Sequence, residues 1–426
     1  MFTFNSDDSV DRHVVCTGIG MVTPLAIGRE ASWANLLNGD HAARPLRQDE
    51  IDHHSQLCDL LRRTPGGAIV DHAAVREAAL SCSDSLPTVL LDDPLNSMIV
   101  VALVEAMTDA GLGPAELSPQ RTGCIIGTSK ASLRAMEGVT NAVVRGDIPN
   151  SGQWRNGFLS DGPLRAAVAV LGGVSETATP IAACATGLVS VIQAAALIRS
   201  GQCDVCVAGS ADASLRASVL ASFHRLGVTS KNSDPATACR PFDADRDGFV
   251  IGEGGAVFVL ESAAHAEARG AKAYGKLLAG NWMTDPTGVT QVDTSGAVVA
   301  DVVKPLVEAS NIANAEPGFY CLHGTGTVSN DLAEANGLFT AVGRKVPAYG
   351  IKGAIGHLLG AAGSVEFATM LLALRDRTIP ATLNLQNIDS KCPVGVSNAN
   401  VETSADTATK LSLGFGGHVA AVVVSR

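Results

Sequence analysis

Several helical stretches of this chain are apolar nearly all the way round, and this limits what it can fold into. Leu188–Ile198 is the clearest case. A surface helix carries one apolar stripe and one polar face, so a helix without the polar face has to be covered on both sides. Short apolar runs of strand length, Cys124–Ile126, Val205–Ala208 and Val257–Leu260, alternate with such stretches. That alternation reads as an α/β architecture, and helices buried between strands call for more than three layers. With 46% hydrophobic and 17% charged residues, the composition lies outside the range of disordered chains. Aromatic residues make up only 4% while glycines number 44, so the layers are expected to meet through small side chains.

A length of 426 residues suits two or three units or one duplicated large fold. The polar stretch Ser262–Lys272 is the best boundary, giving units 1–265 and 266–426. No apolar run reaches the ~18 residues of a membrane helix, since Met98–Val104 and Ala256–Leu260 have core length. Membrane insertion is therefore not expected. The net charge of −11, without a long Lys/Arg run, argues against nucleic acid. The opening MFTFNSDDSVDR is acidic where an export signal would be basic and then apolar, so the expected location is cytoplasmic. Ten cysteines spread along the chain then read as reduced, mostly buried thiols.

Four local patterns put chemistry-bearing residues at element ends. In Pro180-Ile-Ala-Ala-Cys184-Ala-Thr-Gly187, small residues surround a cysteine that begins the apolar helix running on to Gly201. Free N–H groups and the positive end of the helix dipole favour a thiolate there, each pKa unit being worth about 1.36 kcal/mol. The position fits either a nucleophile or a buried structural thiol. Phe319–Leu322 leads into His323-Gly-Thr-Gly-Thr327, a histidine at a strand end before a hydroxyl-rich loop. Thr325 and Thr327 can hydrogen-bond an extended polar ligand arm. After Val346–Ile351 comes Lys352-Gly-Ala-Ile-Gly356-His357, then a helix with internal glycines, where another backbone is expected to pack closely, running to about Arg377. His357 is expected to open that helix, whose dipole favours neutral imidazole. Lys352 and Glu366 either pair behind the histidine or are solvated. Finally, Leu411-Ser-Leu-Gly414-Phe415-Gly-Gly417-His418 is a glycine-rich turn before the last strand, Val419–Val424, and can bring a backbone N–H to a ligand. His418 reads as a third site imidazole or as a surface turn residue.

Other patterns are refused. The loop opening at Asp243 has Gly254 where a calcium loop needs a bidentate Glu, so no metal site is expected. Cys203-Asp-Val-Cys206 lies on an apolar run without a second ligand pair. Gly18-Ile-Gly20 lacks the third glycine of a dinucleotide fingerprint.

Cys184 in AACATG, His323 in HGTGT, Lys352 and His357 in IKGAIGHLLGAAG, and the terminal GFGG together resemble the β-ketoacyl-acyl-carrier-protein synthases, most closely the type II condensing enzymes. VVCTGIGMVTPLA and RPFDADRDGFVIGEGGAVFVLE extend the resemblance over nearly the whole chain. It implies an α/β, thiolase-like, five-layered αβαβα fold made of two similar halves, and a homodimer. The implied reaction is a decarboxylating Claisen condensation in fatty-acid or polyketide synthesis. Cys184 would take the acyl group, and His323 and His357 would promote decarboxylation of malonyl carrier protein and stabilise the enolate. Backbone N–H groups of Cys184 and Phe415 would form the oxyanion hole, with Phe415 also gating the acyl pocket. Lys352 and Glu366 would support the histidines, and Thr325 and Thr327 would hold the phosphopantetheine arm of the acyl carrier protein. No metal or bound cofactor is implied.

The chain departs from the family pattern in three places. His418-Val419 replaces the usual Thr-Asn. Lys130 stands where an apolar residue commonly lines the far end of the acyl pocket, so it either turns away or selects a short or polar chain. The segment between about Asp40 and Asp93 is unlike the family, leaving Arg62 and Arg63 as candidates for the basic patch that an acidic carrier protein requires. A catalytically silent subunit, like the chain-length partners of ketosynthases, is the alternative. Such partners lack the nucleophile, and Cys184 with both histidines argues against that reading. A thiolase-type transferase using free coenzyme A is disfavoured by the two histidines and HGTGT.

Overall fold

The chain runs twice through the same succession of elements in the computed structural model, which describes residues 2–3, 12–47, 66–82, 86–312 and 318–426. The first pass is β1 (Val14–Val22), α1 (Pro94–Ala110), β2 (Thr122–Gly127), α2 (Gly162–Leu171), β3 (Glu176–Ala178), α3 (Thr186–Arg199), β4 (Val205–Asp212) and β5 (Gly254–Ser262). The second is β6 (Gly275–Thr284), α4 (Ala297–Ile312), β7 (Phe319–Cys321), α5 (Val328–Val342), β8 (Pro347–Tyr349), α6 (Ala362–Asp376), β9 (Thr407–Gly414) and β10 (His418–Ser425). The strands pair in the order β1-β5-β4-β2-β3 in one half and β6-β10-β9-β7-β8 in the other. Orientations match strand for strand: the first two pairs of each half are antiparallel and the last two parallel. The halves join where β1 and β6 pair antiparallel, Val14 opposite Leu277 and Cys16 opposite Gly275.

The layers follow from which faces are apolar. α3 and α6 lie between the two halves of the sheet, and their residues Leu188, Val191, Ile198, Val365, Phe367 and Leu371 share one buried cluster with residues of both halves. α1 and α2 cover the outer face of the first half, α4 and α5 that of the second. The result is the five-layered αβαβα arrangement. Its middle helices need no polar face, which accounts for their sequence. Helix ends are set locally: Asp93 caps α1 by accepting from the Leu95 N–H, Pro94 occupies its first turn, and Gly111 ends it at φ 65°.

Two glycine patterns are packing features. A Cβ on Gly18 or Gly20 would lie about 2 Å from the carbonyls of Ala106 and Ala102, so this pair lets β1 meet the backbone of α1. Gly187 and Gly363 play the same part between the middle helices, where a Cβ would come within 2.4 Å of Ser364 N and 2.8 Å of Leu188 N. Among the described residues no helix is long and apolar enough to cross a membrane.

Candidate active site

α3 and α6 are entered in the same way. The 3-10 turn Ala183–Ala185 precedes α3 and Leu359–Ala361 precedes α6. Ala183 and Leu359 hold φ of 46° and 47°, a left-handed conformation that costs a non-glycine residue roughly 1–3 kcal/mol. Cys184 is the middle residue of the first turn, and Gly360 holds the equivalent place in the second. A cavity of about 310 Å³ opens beside Cys184, and Cys184, His323, His357, Phe415, Thr325 and Thr327 all line it. The four sequence patterns therefore meet at one place.

The protonation state of Cys184 corrects the thiolate expectation. Burial pushes the thiol up to about 11, and the charges of Lys352 and Lys130 only partly offset it. The sulfur sits on the turn before α3, and desolvation outweighs the helix end. The Phe415 N–H hydrogen-bonds the sulfur. Gly414 brings it there: a Cβ on Gly414 would lie 3.0 Å from Cys184 N and 2.7 Å from Ala182 O. The backbone N–H groups of Cys184 and Phe415 are thus neighbours, the arrangement an oxyanion needs. The Phe415 ring stacks on Phe223 with centroids 6.0 Å apart.

His323 follows β7, where its own N–H and that of Gly324 donate to the buried Glu334 carboxylate of α5, each at 2.6 Å. Lys352 Nζ lies 3.2 Å from His323 Nδ1 and also donates to the His323 carbonyl and to Glu366 Oε1. An ammonium only donates, so Nδ1 accepts and the neutral ring carries its hydrogen on Nε2. His357 has the same tautomer, its Nδ1 accepting the Leu359 N–H at 3.3 Å. Burial first, then the charge of Lys352, holds both imidazoles well below their ordinary pKa. The rings stand edge to face, centroids 5.1 Å apart, and Phe249 packs edge-on against His357 at 4.9 Å. Two neutral Nε2–H donors side by side can stabilise a developing oxyanion such as an enolate.

His357 does not open α6, contrary to expectation. It lies five residues earlier, donating its N–H to Val250 O at 2.7 Å and accepting from the Gly252 N–H at 2.9 Å. Its neutrality therefore comes from burial and lysine charge, not from a helix end.

Lys130 does not simply turn away to solvent. Its Nζ bonds Ser129 Oγ at 2.5 Å and Ser214 Oγ at 2.7 Å, and lies 3.5 Å from Asp212 Oδ2. Asp212 is buried and accepts the Gly360 N–H at 3.1 Å, so this polar cluster sits directly behind the turn that precedes α6. His418 begins β10, is half-buried beside Trp282 and lines the cavity. Thr325 and Thr327 hydrogen-bond each other at 2.8 Å. Arg62 and Arg63 lie outside the described residues. In the refused calcium loop, Arg246 pairs with Asp331 at 3.3 Å and Asp389 at 2.8 Å. No cluster of metal-ligating side chains occurs among the described residues, and every cysteine among them is free. Sequence reasoning missed Glu334, Phe249 and Lys410. For Lys410 the signal was a lysine in the apolar strand before GFGG.

The family model for the Beta-ketoacyl synthase N-terminal domain matches residues 11–266, and that for the C-terminal domain matches residues 274–386. The chain belongs to the β-ketoacyl synthase family. The synthase is 32% identical to the tetracenomycin polyketide synthase ketoacyl synthase alpha subunit of Streptomyces glaucescens, covering 98% of this chain and 97% of that one. It is 33% identical to the 3-oxoacyl-[acyl-carrier-protein] synthase 2 of Rhizobium meliloti, covering 97% and 99%. Among solved structures it resembles a β-ketoacyl synthase from Burkholderia phymatum, with TM-score 0.85, 25% identity and coverage of 97% and 99%. It resembles equally a ketosynthase bound to a hexaketide and in complex with a type II polyketide synthase acyl carrier protein, with TM-score 0.85, 26% identity and the same coverage. The synthase is an acyltransferase of fatty-acid or polyketide synthesis. The silent-subunit alternative is not favoured.

Proposed function

We propose that the synthase loads an acyl group from an acyl carrier protein onto Cys184 and extends it with a malonyl unit delivered in the same way. The observation that carries this reading is the convergence of Cys184, His323, His357 and the Phe415 N–H on one cavity. In the first half-reaction the Cys184 sulfur attacks the acyl thioester carbon, and the Cys184 and Phe415 N–H groups hold the tetrahedral oxyanion. One such donor is typically worth about 2.7–4 kcal/mol. The phosphopantetheine thiol leaves with the proton that Cys184 gives up.

Malonyl carrier protein then enters with its arm along Thr325 and Thr327. Its thioester oxygen accepts from the Nε2–H groups of His323 and His357, the carbon–carboxylate bond breaks and CO2 departs. The enolate carbon attacks the acyl-Cys184 carbonyl, the carbon–sulfur bond breaks and the Cys184 thiolate takes a proton from water, the one proton the decarboxylating condensation consumes. Lys352, anchored by Glu366, holds His323 in the donating tautomer. Phe415 gates the acyl side of the site, and Lys130, whose charge acts on Cys184 and His357 from behind the cavity, favours short or oxygenated chains. The phosphopantetheine of the carrier protein is the only carrier group this chemistry needs.

The reading extends to a cytoplasmic homodimer of chains each divided into units 1–265 and 266–426. The repeated strand order supports the division, and the nine free cysteines among the described residues suit a reducing compartment. The dimer is supported by the exposed apolar residues Val144, Ile148, Trp154, Phe158 and Ile181 and by β3, which ends its side of the sheet.

The test is to supply acyl and malonyl carrier proteins and follow β-ketoacyl product and CO2. Product supports the condensing role. Carrier binding without product would move the chain to the silent-subunit class.

A further inference from the structure

The mechanism makes no use of the buried lysine on β9. Lys410, on β9, is fully buried, and its Nζ lies 2.8 Å from Glu366 Oε2, a charge contact not aligned as a hydrogen bond. It donates to the Leu411 carbonyl and lies 3.5 Å from the Cys321 carbonyl. The other oxygen of Glu366 belongs to Lys352, which reaches His323. One carboxylate therefore stands between two ammonium groups, and the three buried charges leave a surplus of one positive charge.

A single Lys–Glu pair would satisfy burial and be neutral. The second lysine adds uncompensated charge in a place where charge is expensive. The other carboxyl that acts on Lys410 is Glu334, whose two oxygens are taken by the N–H groups of His323 and Gly324 and by the Asn330 amide, and whose carboxyl burial raises to about 7. The remaining titratable groups around the network are Cys321 on β7, Tyr349 on β8 and His357, all fully buried, and Lys130 beyond His357. None is an acid that would cancel the surplus. The field of Lys410 reaches both catalytic imidazoles.

We propose that Lys410 is a positioning residue that clamps Glu366 from the side opposite Lys352 and adds, to burial and the charge of Lys352, a second cation that helps keep His323 a neutral Nε2–H donor. The inference rests on His323 acting as that donor in the proposed condensation. Removing a nearby cation makes protonation of His323 easier, so activity is lost at a higher pH as the solution is acidified.

The test compares the wild-type enzyme with Lys410→Met, which keeps the length without charge, and Lys410→Gln, which keeps a donor without charge. Two quantities are read: the pH dependence of β-ketoacyl formation, and the titration of the His323 ring by NMR of histidine-labelled protein, assigned with His323→Ala. In both variants the acid limb is expected to move up by about one pH unit. On that acid limb turnover should fall while KM for malonyl carrier protein changes less than about twofold, and the His323 ring should titrate correspondingly higher. If either folded variant shows the wild-type ring titration, the proposal is overturned. A wild-type pH profile in Lys410→Gln, with a shift only in Lys410→Met, would also overturn it by assigning Lys410 a packing role. The ring titration needs no turnover, so it decides the role of Lys410 even if the wild-type enzyme makes no product, an outcome that would count against the condensing function alone.

Discussion

Replacing Gly414 with alanine perturbs the contact between the terminal turn and the backbone of the nucleophile. The new Cβ would lie 2.7 Å from Ala182 O and 3.0 Å from both Ala185 N and Cys184 N. All three are backbone atoms, and carbon contacts settle near 3.5 Å, so the turn carrying Phe415 has to retreat by roughly half an ångström or more. Such a retreat takes the Phe415 N–H outside the 2.7–3.1 Å range in which an oxyanion donor works, and losing one donor costs about 10²–10³ in rate. Overpacking of this kind destabilises by about 1–3 kcal/mol, within what a folded domain tolerates. The assay is single-turnover acylation of Cys184 by acyl carrier protein, set against alkylation of the same sulfur by iodoacetamide, which develops no oxyanion. Acylation should fall by about 10²-fold while alkylation stays within a few-fold of wild type. Wild-type acylation in a folded Gly414→Ala protein would refute the reasoning.

Three further outcomes follow from the site. Cys184→Ala should abolish condensation yet still release CO2 from malonyl carrier protein, whereas His323→Ala should lose both; full condensation by Cys184→Ala would remove the nucleophile assignment. Because burial holds the Cys184 thiol near 11, its thiolate fraction grows about tenfold per pH unit below that value. Iodoacetamide alkylation should therefore keep rising from pH 8 to 10, and a plateau below pH 9 would contradict burial as the dominant cause. Lys130→Met should shift acyl competition toward longer alkyl chains and destabilise the protein by about 1–3 kcal/mol, because the buried Asp212 loses a donor; an unchanged chain preference would free Lys130 of any part in selection.

More than three layers were legible because helices apolar on every side have few places to go, the number five came with the family resemblance, and Leu188–Ile198 does lie in the middle layer. Glycines were harder to read. Gly18 and Gly20 looked like a broken nucleotide fingerprint until their distance to the backbone of α1 explained them. The site patterns located Cys184, His323 and His357 along the chain but not their electrostatics. A cysteine beside a helix start suggests a thiolate, and only three-dimensional burial reveals that desolvation prevails. The start of α6 was misplaced because Leu359 adopts a left-handed conformation that nothing in a leucine announces. Lys130 and Asp212 are 82 residues apart in the chain, so their pairing could not be read from local pattern. Lys410 escaped notice for a related reason: a lysine in a strand ordinarily faces water, and only the covering of β9 by α6 makes it buried.

The central claim is that Cys184 is the residue that carries the growing acyl group. Intact-protein mass spectrometry after incubation with acyl carrier proteins bearing short, long and oxygenated acyl groups, with the adduct mapped by peptide digestion, tests it directly. One acyl group per chain is expected on Cys184, discharged as β-ketoacyl product when malonyl carrier protein is added. No adduct from any carrier in a folded protein, or an adduct on another residue, would contradict it.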